Sequence, residues 1–413
     1  MIVHGLTIPF YKNHIKPIVK PRGKDHKTVF IEDEKMLFPY LQQRGSFTIY
    51  TKGFIPEVHE PFRFAVDTQN FKVAVLGNKT IVDINNFGCQ EFNLHPVEVF
   101  QYIKELCKDD ISYPISVADL SAKIFRKRFL KYWITLFYPK ESLKAYHGGK
   151  LLLYTKQKRF NKVYYADIKQ AYGSIMKTLP SFYDNKLFKE TKKIYDLGIY
   201  QISCECEELK YPYIFDENFK FQKQLIKQWV NGSELKNAIK LNLINNLTIH
   251  KGYFYDRKLD KNISPFKQFV NSFSKTKNPL KRRINKLIIN SLYGKLIQSK
   301  KDIYYDTQNK ETIFNFEGSG LFNPFIAGYI TSSIRKRILE YEIKYNSLHT
   351  LIDAIICTKK PINQNKKAGE LINKISGSCE IKKAGVYLIK NYRAKKIGKM
   401  GLTENPFPSE DKQ

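Results

Sequence analysis

Asp167 and Asp353 each close or interrupt a run of apolar, β-branched and aromatic residues, VYYAD and TLID. Such runs read as strands, and a carboxylate inside one needs a cation, hydrogen bonds or water. Between the two aspartates lie the strongest helical patterns in the chain, over 233–243, 278–298 and 323–345. A fold that serves both residues brings them to neighbouring strands of one sheet with helices inserted between, an α+β arrangement. Taken singly, each Asp has another reading, as a strand-end carboxylate in solvent or a cap on the next helix.

The rest of the chain follows by periodicity. Residues 45–90 alternate polar with β-branched and aromatic residues (SFTIYTKGF, FRFAVDT, FKVAVLGN, TIVDI), which predicts a small sheet. Residues 96–108 and 119–136 carry helical spacing, KLLLYT and KVYYADI read as strands, and QAYGSIMKTL after Asp167 reads as a helix. LHTLIDAIICT is expected to be one strand. No repeat, Pro/Gly/Ser linker or low-complexity tract interrupts the sequence.

The helix expected over 278–298 holds Lys286 and Asn290 four residues apart, on one face. Lys275, Lys277, Lys281, Arg282 and Arg283 precede them. A triphosphate would be held by such a face; a solvated basic helix is the other reading. Charge over the whole chain points the same way. Lys and Arg number 70 against 39 Asp and Glu, a formal net charge of +31, which suits a polyanionic partner. AT-rich coding accounts equally well for abundant Lys, Asn, Ile, Phe and Tyr beside scarce Arg.

Six cysteines show no CxxC pair and no zinc spacing, so a reducing compartment is expected. Cys204-Glu-Cys206 alternates along a strand and reads as packing. His147 and His349 read as loop or core histidines, and Trp133 and Trp229 as core. Tyr253, Phe254, Phe266, Phe269 and Phe273 read as core in preference to base-stacking residues. No apolar run reaches the length of a membrane span, and MIVHGLTIPFYKNHIKPIVK has neither a signal-peptide core nor an amphipathic presequence.

Several segments together resemble the motifs of family B DNA polymerases, most closely the protein-primed type of bacteriophages, linear plasmids and organelles, in truncated and partly degenerate form. Asp167-Ile-Lys-Gln-Ala-Tyr172-Gly173 is similar to the first palm motif, with Gly173 where the family has proline. Lys286-Leu-Ile-Ile-Asn290-Ser291-Leu292-Tyr293-Gly294 matches the fingers motif throughout. Tyr146-His147-Gly148-Gly149 resembles the Tyr-x-Gly-Gly template loop, and Leu120 to Phe129 the segment before it. Phe325 to Arg335 is similar to the helix before the last palm motif, and Lys390-Asn-Tyr392 to the Lys-x-Tyr element at the primer terminus.

The resemblance implies a right-hand palm and fingers, α+β, and a two-metal nucleotidyl transfer. Asp167 and Asp353 would be catalytic and hold two Mg²⁺ or Mn²⁺ ions. Tyr172, Lys286, Asn290, Tyr293 and Arg282 would bind the incoming nucleotide, with Tyr172 excluding a 2′-hydroxyl. Tyr146, Gly148, Gly149, Lys390 and Tyr392 would bind nucleic acid.

Departures accompany the likeness. The last palm motif, Tyr-x-Asp-Thr-Asp-Ser, stands here as His349-Thr350-Leu351-Ile352-Asp353-Ala354, keeping the second aspartate alone. Asp67-Thr68-Gln69 resembles the first exonuclease motif with Gln for Glu, and about 80 residues separate Asp67 from Tyr146, so no proofreading is expected. After Tyr392 21 residues remain (413 minus 392), predicting little or no thumb.

The expected organisation is a reduced exonuclease-like region over 1–115 and the template loop with the first part of the palm over 116–230. Fingers and an insertion follow over 231–322, and the second part of the palm with a vestigial thumb over 323–413. Two functions stay open: a DNA polymerase lacking proofreading, acting on a DNA primer-template with a terminal protein as partner, and a catalytically inactive, RNA- or DNA-binding structural component of a ribonucleoprotein such as an organellar ribosome. The setting is read as mitochondrial and organelle-encoded, or as viral or plasmid-borne in the cytoplasm.

Overall fold

The computed structural model describes residues 27–42, 46–52, 64–68, 71–76, 79–108, 110–130, 137–207, 210–216, 220–306, 311–318, 320–362 and 367–399. In chain order these form β1 (Lys27–Ile31), α1 (Leu37–Gln42), β2 (Phe47–Thr51), β3 (Phe64–Thr68), β4 (Phe71–Leu76), β5 (Lys79–Asp83), α2 (Cys89–Phe92), α3 (Pro96–Cys107) and α4 (Val117–Ile124). Then come β6 (Leu151–Leu153), β7 (Arg159–Ile168), α5 (Ala171–Met176), β8 (Phe188–Glu190), β9 (Gly198–Cys206), β10 (Gln224–Asn231), α6 (Gly232–Lys240) and β11 (Ile244–Tyr255). The remainder is α7 (Pro265–Ser274), α8 (Pro279–Ile297), β12 (Ser299–Asp306), β13 (Glu311–Gly318), α9 (Pro324–Tyr345), β14 (Ser347–Leu351), β15 (Ala354–Cys357), β16 (Leu371–Lys383), β17 (Val386–Lys390) and β18 (Lys395–Lys399).

Two compact units interleave along the chain. The first comprises the described residues of 7–134 and 268–295. Its sheet runs β1-β2-β5-β4-β3, parallel over the first three strands and antiparallel beyond. Ile31, Leu37, Phe47, Ile49, Ala74 and Ile81 fill its core. The expected small sheet is there, and α3 buries Val99, Phe100, Ile103 and Cys107 at helical spacing. The helical reading of 119–136 needs adjusting: Ser116 caps α4 at Asp119 N, and the helix ends in a single π turn, Phe125–Phe129. Residues 131–136, with Trp133, lie outside the described residues.

Helix α8 belongs to this unit over most of its length. Asn278 caps its start through Lys281 N, with Pro279 at the first helical position. Ile284, Ile288 and Leu292, four apart, are fully buried. Tyr102 donates to Asn285 Oδ1 at 2.7 Å and Ser121 to Ile288 O at 2.7 Å, which fixes the rotation of the helix about its axis. Phe269 packs edge-on against Phe125 and Phe129, each at 5.4 Å.

The second unit comprises the described residues of 135–267 and 296–413. Its seven-stranded antiparallel sheet runs β18-β17-β16-β7-β15-β14-β6. One face carries the cluster of Val163, Tyr165, Leu348, Ala354, Ile356, Cys379, Ile381, Tyr387 and Ile389. A four-stranded sheet, β10-β9-β11-β8, holds Cys204 and Cys206 in a second core, as the alternation predicts, and Trp229 is buried. Helix α9, capped by Asn323 with Pro324 next, buries most of its length. Among the described residues no helix is long and apolar enough to cross a membrane.

The single strand expected for LHTLIDAIICT is corrected. It is a hairpin, β14 and β15, broken by a tight turn at Ile352 and Asp353. The run of β-branched residues hides the turn because no Gly, Asn or Pro marks it.

Candidate active site

Pairing of β15 with β7 places Ala354 opposite Asp167, and Ile168 N donates to Asp353 O at 2.8 Å. The backbone of Asp353, in the turn that leads into β15, therefore lies beside the end of β7 that carries Asp167. The turn that carries Asp353 is closed by Asp353 N donating to Leu351 O at 2.8 Å around Ile352 at φ 66°. A β-branched residue in the left-handed region is strained, and such strain persists only where surrounding contacts hold it. Here Ile352 N donates to Lys150 O at 2.8 Å, and Gly149 lies flat against the Ile352 side chain.

Lys150 is itself fixed from the other side. Its ammonium, fully buried, pairs with Glu342 of α9 at 2.6 Å and donates to Pro212 O. Burial lowers its pKa, opposed by Glu342. Tyr154 and Thr350 hydroxyls also donate to Glu342. The carboxylate thus ties β6, β14 and α9 together beneath the turn.

The loop of Tyr146, His147, Gly148 and Gly149 hangs on α9. Arg335, fully buried, makes a bidentate pair with Glu234 at 2.5 and 2.6 Å and donates through Nη1 to the carbonyls of His147 and Gly148. Thr331 donates to His147 O at 2.7 Å, and Asn231 to Ala145 O at 2.6 Å. His147 is a core residue, its pKa lowered to about 4 by burial and then by Arg335. His349 is buried too, bonded at Nδ1 to Leu152 O and accepting at Nε2 from Gly385 N.

Burial raises the Tyr165 pKa first, and Tyr387, Asp167 and Asp353 add to it. Tyr172, on α5, is likewise pushed up by burial and then by Asp353, so its hydroxyl stays protonated at neutral pH. Asp167 Oδ1 lies 3.4 Å from Lys374 Nζ. Leu351, at the position of the missing motif aspartate, packs against the apolar cluster.

Two hard carboxylate donors on adjacent strand ends fit Mg²⁺ or Mn²⁺, which take oxygen ligands and complete their shells with water and substrate phosphates. Among the described residues no group of three or more acidic, His or Cys side chains gathers as a metal site. A metal here would therefore rest on this pair.

Lys390 ends β17, and Tyr392 sits at the tip of the β17–β18 turn, 86% exposed, with Arg393 over its ring at 4.8 Å. Asn391 shapes the tip by accepting from Arg393 N and Ala394 N.

In the other unit, Arg282, Lys286, Asn290 and Tyr293 fall at i, i+4, i+8 and i+11 along α8, a single stripe. Arg282 and Lys286 are exposed, Asn290 and Tyr293 half-buried. Lys281 is committed to Glu105 at 2.6 Å and Arg283 to Phe92 O at 2.6 Å. Asp67 and Thr68 lie on β3, and Gln69 lies outside the described residues. Sequence reasoning missed Lys374, Lys150, Glu234 and Glu342, whose roles depend on partners distant in the chain.

Residues 97–319, more than half of the chain, match the family model described as DNA polymerase type B, organellar and viral. No curated protein matches the chain significantly. Among solved structures the fold is similar to that of Phi29 DNA polymerase. In the complex with primer-template DNA and incoming nucleotide substrates, the TM-score is 0.63 at 14% identity, covering 90% of this chain and 86% of that one. The binary complex with primer-template DNA gives 0.60 at 16% identity, covering 86% and 80%. The complex with single-stranded DNA gives 0.59 at 14% identity, covering 89% and 83%.

Proposed function

We propose, since the chain belongs to the organellar and viral type B DNA polymerases, that it extends a DNA primer on a template by nucleotidyl transfer at Asp167 and Asp353. The observation that carries this reading is the hairpin register that sets Asp353 beside Asp167 although the motif's other aspartate is Leu351. Two divalent ions held there would polarise the primer 3′ oxygen and neutralise the leaving pyrophosphate.

The chain's own groups have separate tasks. Asp167 and Asp353 hold the ions, and Arg282 and Lys286 offer fixed cations to the triphosphate. Asn290 and Tyr293 support the nucleotide on the same stripe. Tyr172, half-buried beside Asp353 with its hydroxyl protonated, lies under the incoming sugar and excludes a 2′-hydroxyl. Tyr146, Gly148 and Gly149 contact template, and Lys390 and Tyr392 the primer terminus, where an exposed ring suits stacking.

In this reading residues 1–115 are a reduced exonuclease-like region without proofreading, supported by Gln69 where the family carries Glu. Residues 116–230 and 323–413 supply the palm and 231–322 the fingers. A terminal protein is the proposed priming partner, and an organelle, virus or linear plasmid the proposed setting.

The test is primer extension with Mg²⁺ or Mn²⁺ by purified protein beside Asp167→Asn and Asp353→Asn. Extension lost in both variants is expected. No extension by wild type, with salt-sensitive nucleic-acid binding indifferent to either substitution, would overturn the reading in favour of a non-catalytic binding role.

A further inference from the structure

Lys374 has no part in the motifs, yet it reaches one of the two carboxylates, that of Asp167. In the ladder between β16 and β7, Ile372 faces Asp167 and Asn373 faces Ala166, then the register shifts so that Ile375 faces Tyr165. Lys374 is the extra residue of this bulge. Bulges re-aim side chains and recur beside active sites. Its Nζ lies 3.4 Å from Asp167 Oδ1, with the lysine 45% and the aspartate 29% exposed.

We propose that Lys374 is a resident cation of the carboxylate pair, which a divalent ion must displace from Asp167, so that it sets the metal concentration at which the site fills. This rests on the reading of Asp167 and Asp353 as metal ligands. The Lys374 ammonium offsets part of the anionic charge that Asp167 offers an ion, and Leu351 supplies no third carboxylate to restore it. The ion and the ammonium compete for the same carboxylate. A half-exposed ion pair opens readily, so the competition is one of affinity and not of access. Lys396 lies over the Tyr165 ring at 4.3 Å, whereas Lys374 Nζ is placed against the Asp167 carboxylate itself.

The test is Mn²⁺ titration of the full chain, followed by the loss of the free-ion electron paramagnetic resonance signal. Wild type is compared with Lys374→Met, Lys374→Gln, Lys374→Arg and Asp167→Asn, each first checked for an unchanged thermal transition. Neutral residues at 374 are expected to tighten Mn²⁺ binding on the order of three- to tenfold, the scale of one exposed unit charge beside a divalent ion. Lys374→Arg should bind as wild type does, and Asp167→Asn should lose the site. Unchanged or weakened binding in both Lys374→Met and Lys374→Gln, while Asp167→Asn still loses it, overturns the proposal for Lys374 alone. A wild type that binds no Mn²⁺, or binds it equally well as Asp167→Asn, overturns the metal-site reading beneath it.

Discussion

Gly149 packs directly on Ile352: a Cβ at position 149 would overlap Ile352 Cγ2 and sit 3.1 Å from Ile352 Cβ. The loop of Tyr146 to Gly149 thereby presses on the turn that carries Asp353. Gly149→Ala must push Ile352 away, and the adjacent Asp353 with it. The expected result is a stability loss of about 1–3 kcal/mol, the usual cost of overpacking, and extension slowed about tenfold or more through misplacement of the carboxylate. Gly148→Ala is the comparison, since a Cβ there meets nothing within 4 Å. Melting curves and primer-extension rates of both variants decide the matter; equal behaviour of the two would sink the coupling.

His147 makes stability fall on mild acidification. Its folded pKa is depressed from 6.5 to about 4 by burial and the neighbouring Arg335. Between those values the unfolded chain takes up a proton that the folded chain refuses. The stabilisation is therefore complete above pH 6.5 and is lost as pH falls toward 4, by about 2 kcal/mol at pH 5. Burial lowers the pKa of His349 as well, adding in the same sense. Denaturant titrations at pH 7.5 and pH 5 should show a smaller drop for His147→Gln than for wild type. An identical drop would mean that His147 contributes nothing to it.

Tyr392 is free of the core, so its substitution separates binding from folding. Loss of one stacked aromatic weakens nucleic-acid binding by about 1–3 kcal/mol. Tyr392→Ala should therefore raise the Kd for a primed template roughly 5- to 150-fold while leaving the thermal transition in place. Fluorescence anisotropy at fixed salt measures it, and an unchanged Kd removes Tyr392 from the primer site.

Some of this was readable from the chain, and the boundary has physical causes. Asp167 closes an apolar, β-branched and aromatic run, and the stripe of Lys286, Asn290 and Tyr293 follows from helical spacing, so both are local facts. The turn at Ile352 carries no Gly, Asn or Pro, and it is held from outside by Gly149 and the carbonyl of Lys150. Lys374 reads as an ordinary outward residue of LINKIS until the bulge is known. Arg335 and Glu234 are 101 residues apart, and neither sequence neighbourhood announces a buried ion pair.

Leu351 offers the sharpest trial of the two-carboxylate site. It stands where the family places its other motif aspartate, and its side chain leans on the cluster around Val163 and Tyr165. Leu351→Asp removes that apolar contact and sets a new carboxylate beside Asp353, so a loss of about 1–3 kcal/mol is expected in metal-free buffer. The same carboxylate gives a divalent ion a further hard ligand, so Mn²⁺ should bind several-fold tighter than to wild type. Binding to the folded state alone must then return part of the lost stability, in proportion to the logarithm of ion concentration. The thermal transition of Leu351→Asp should therefore rise with Mn²⁺ more steeply than that of wild type. A parallel rise in the two proteins would show that position 351 does not face the ions, and that Asp167 and Asp353 are not joined there by a third ligand.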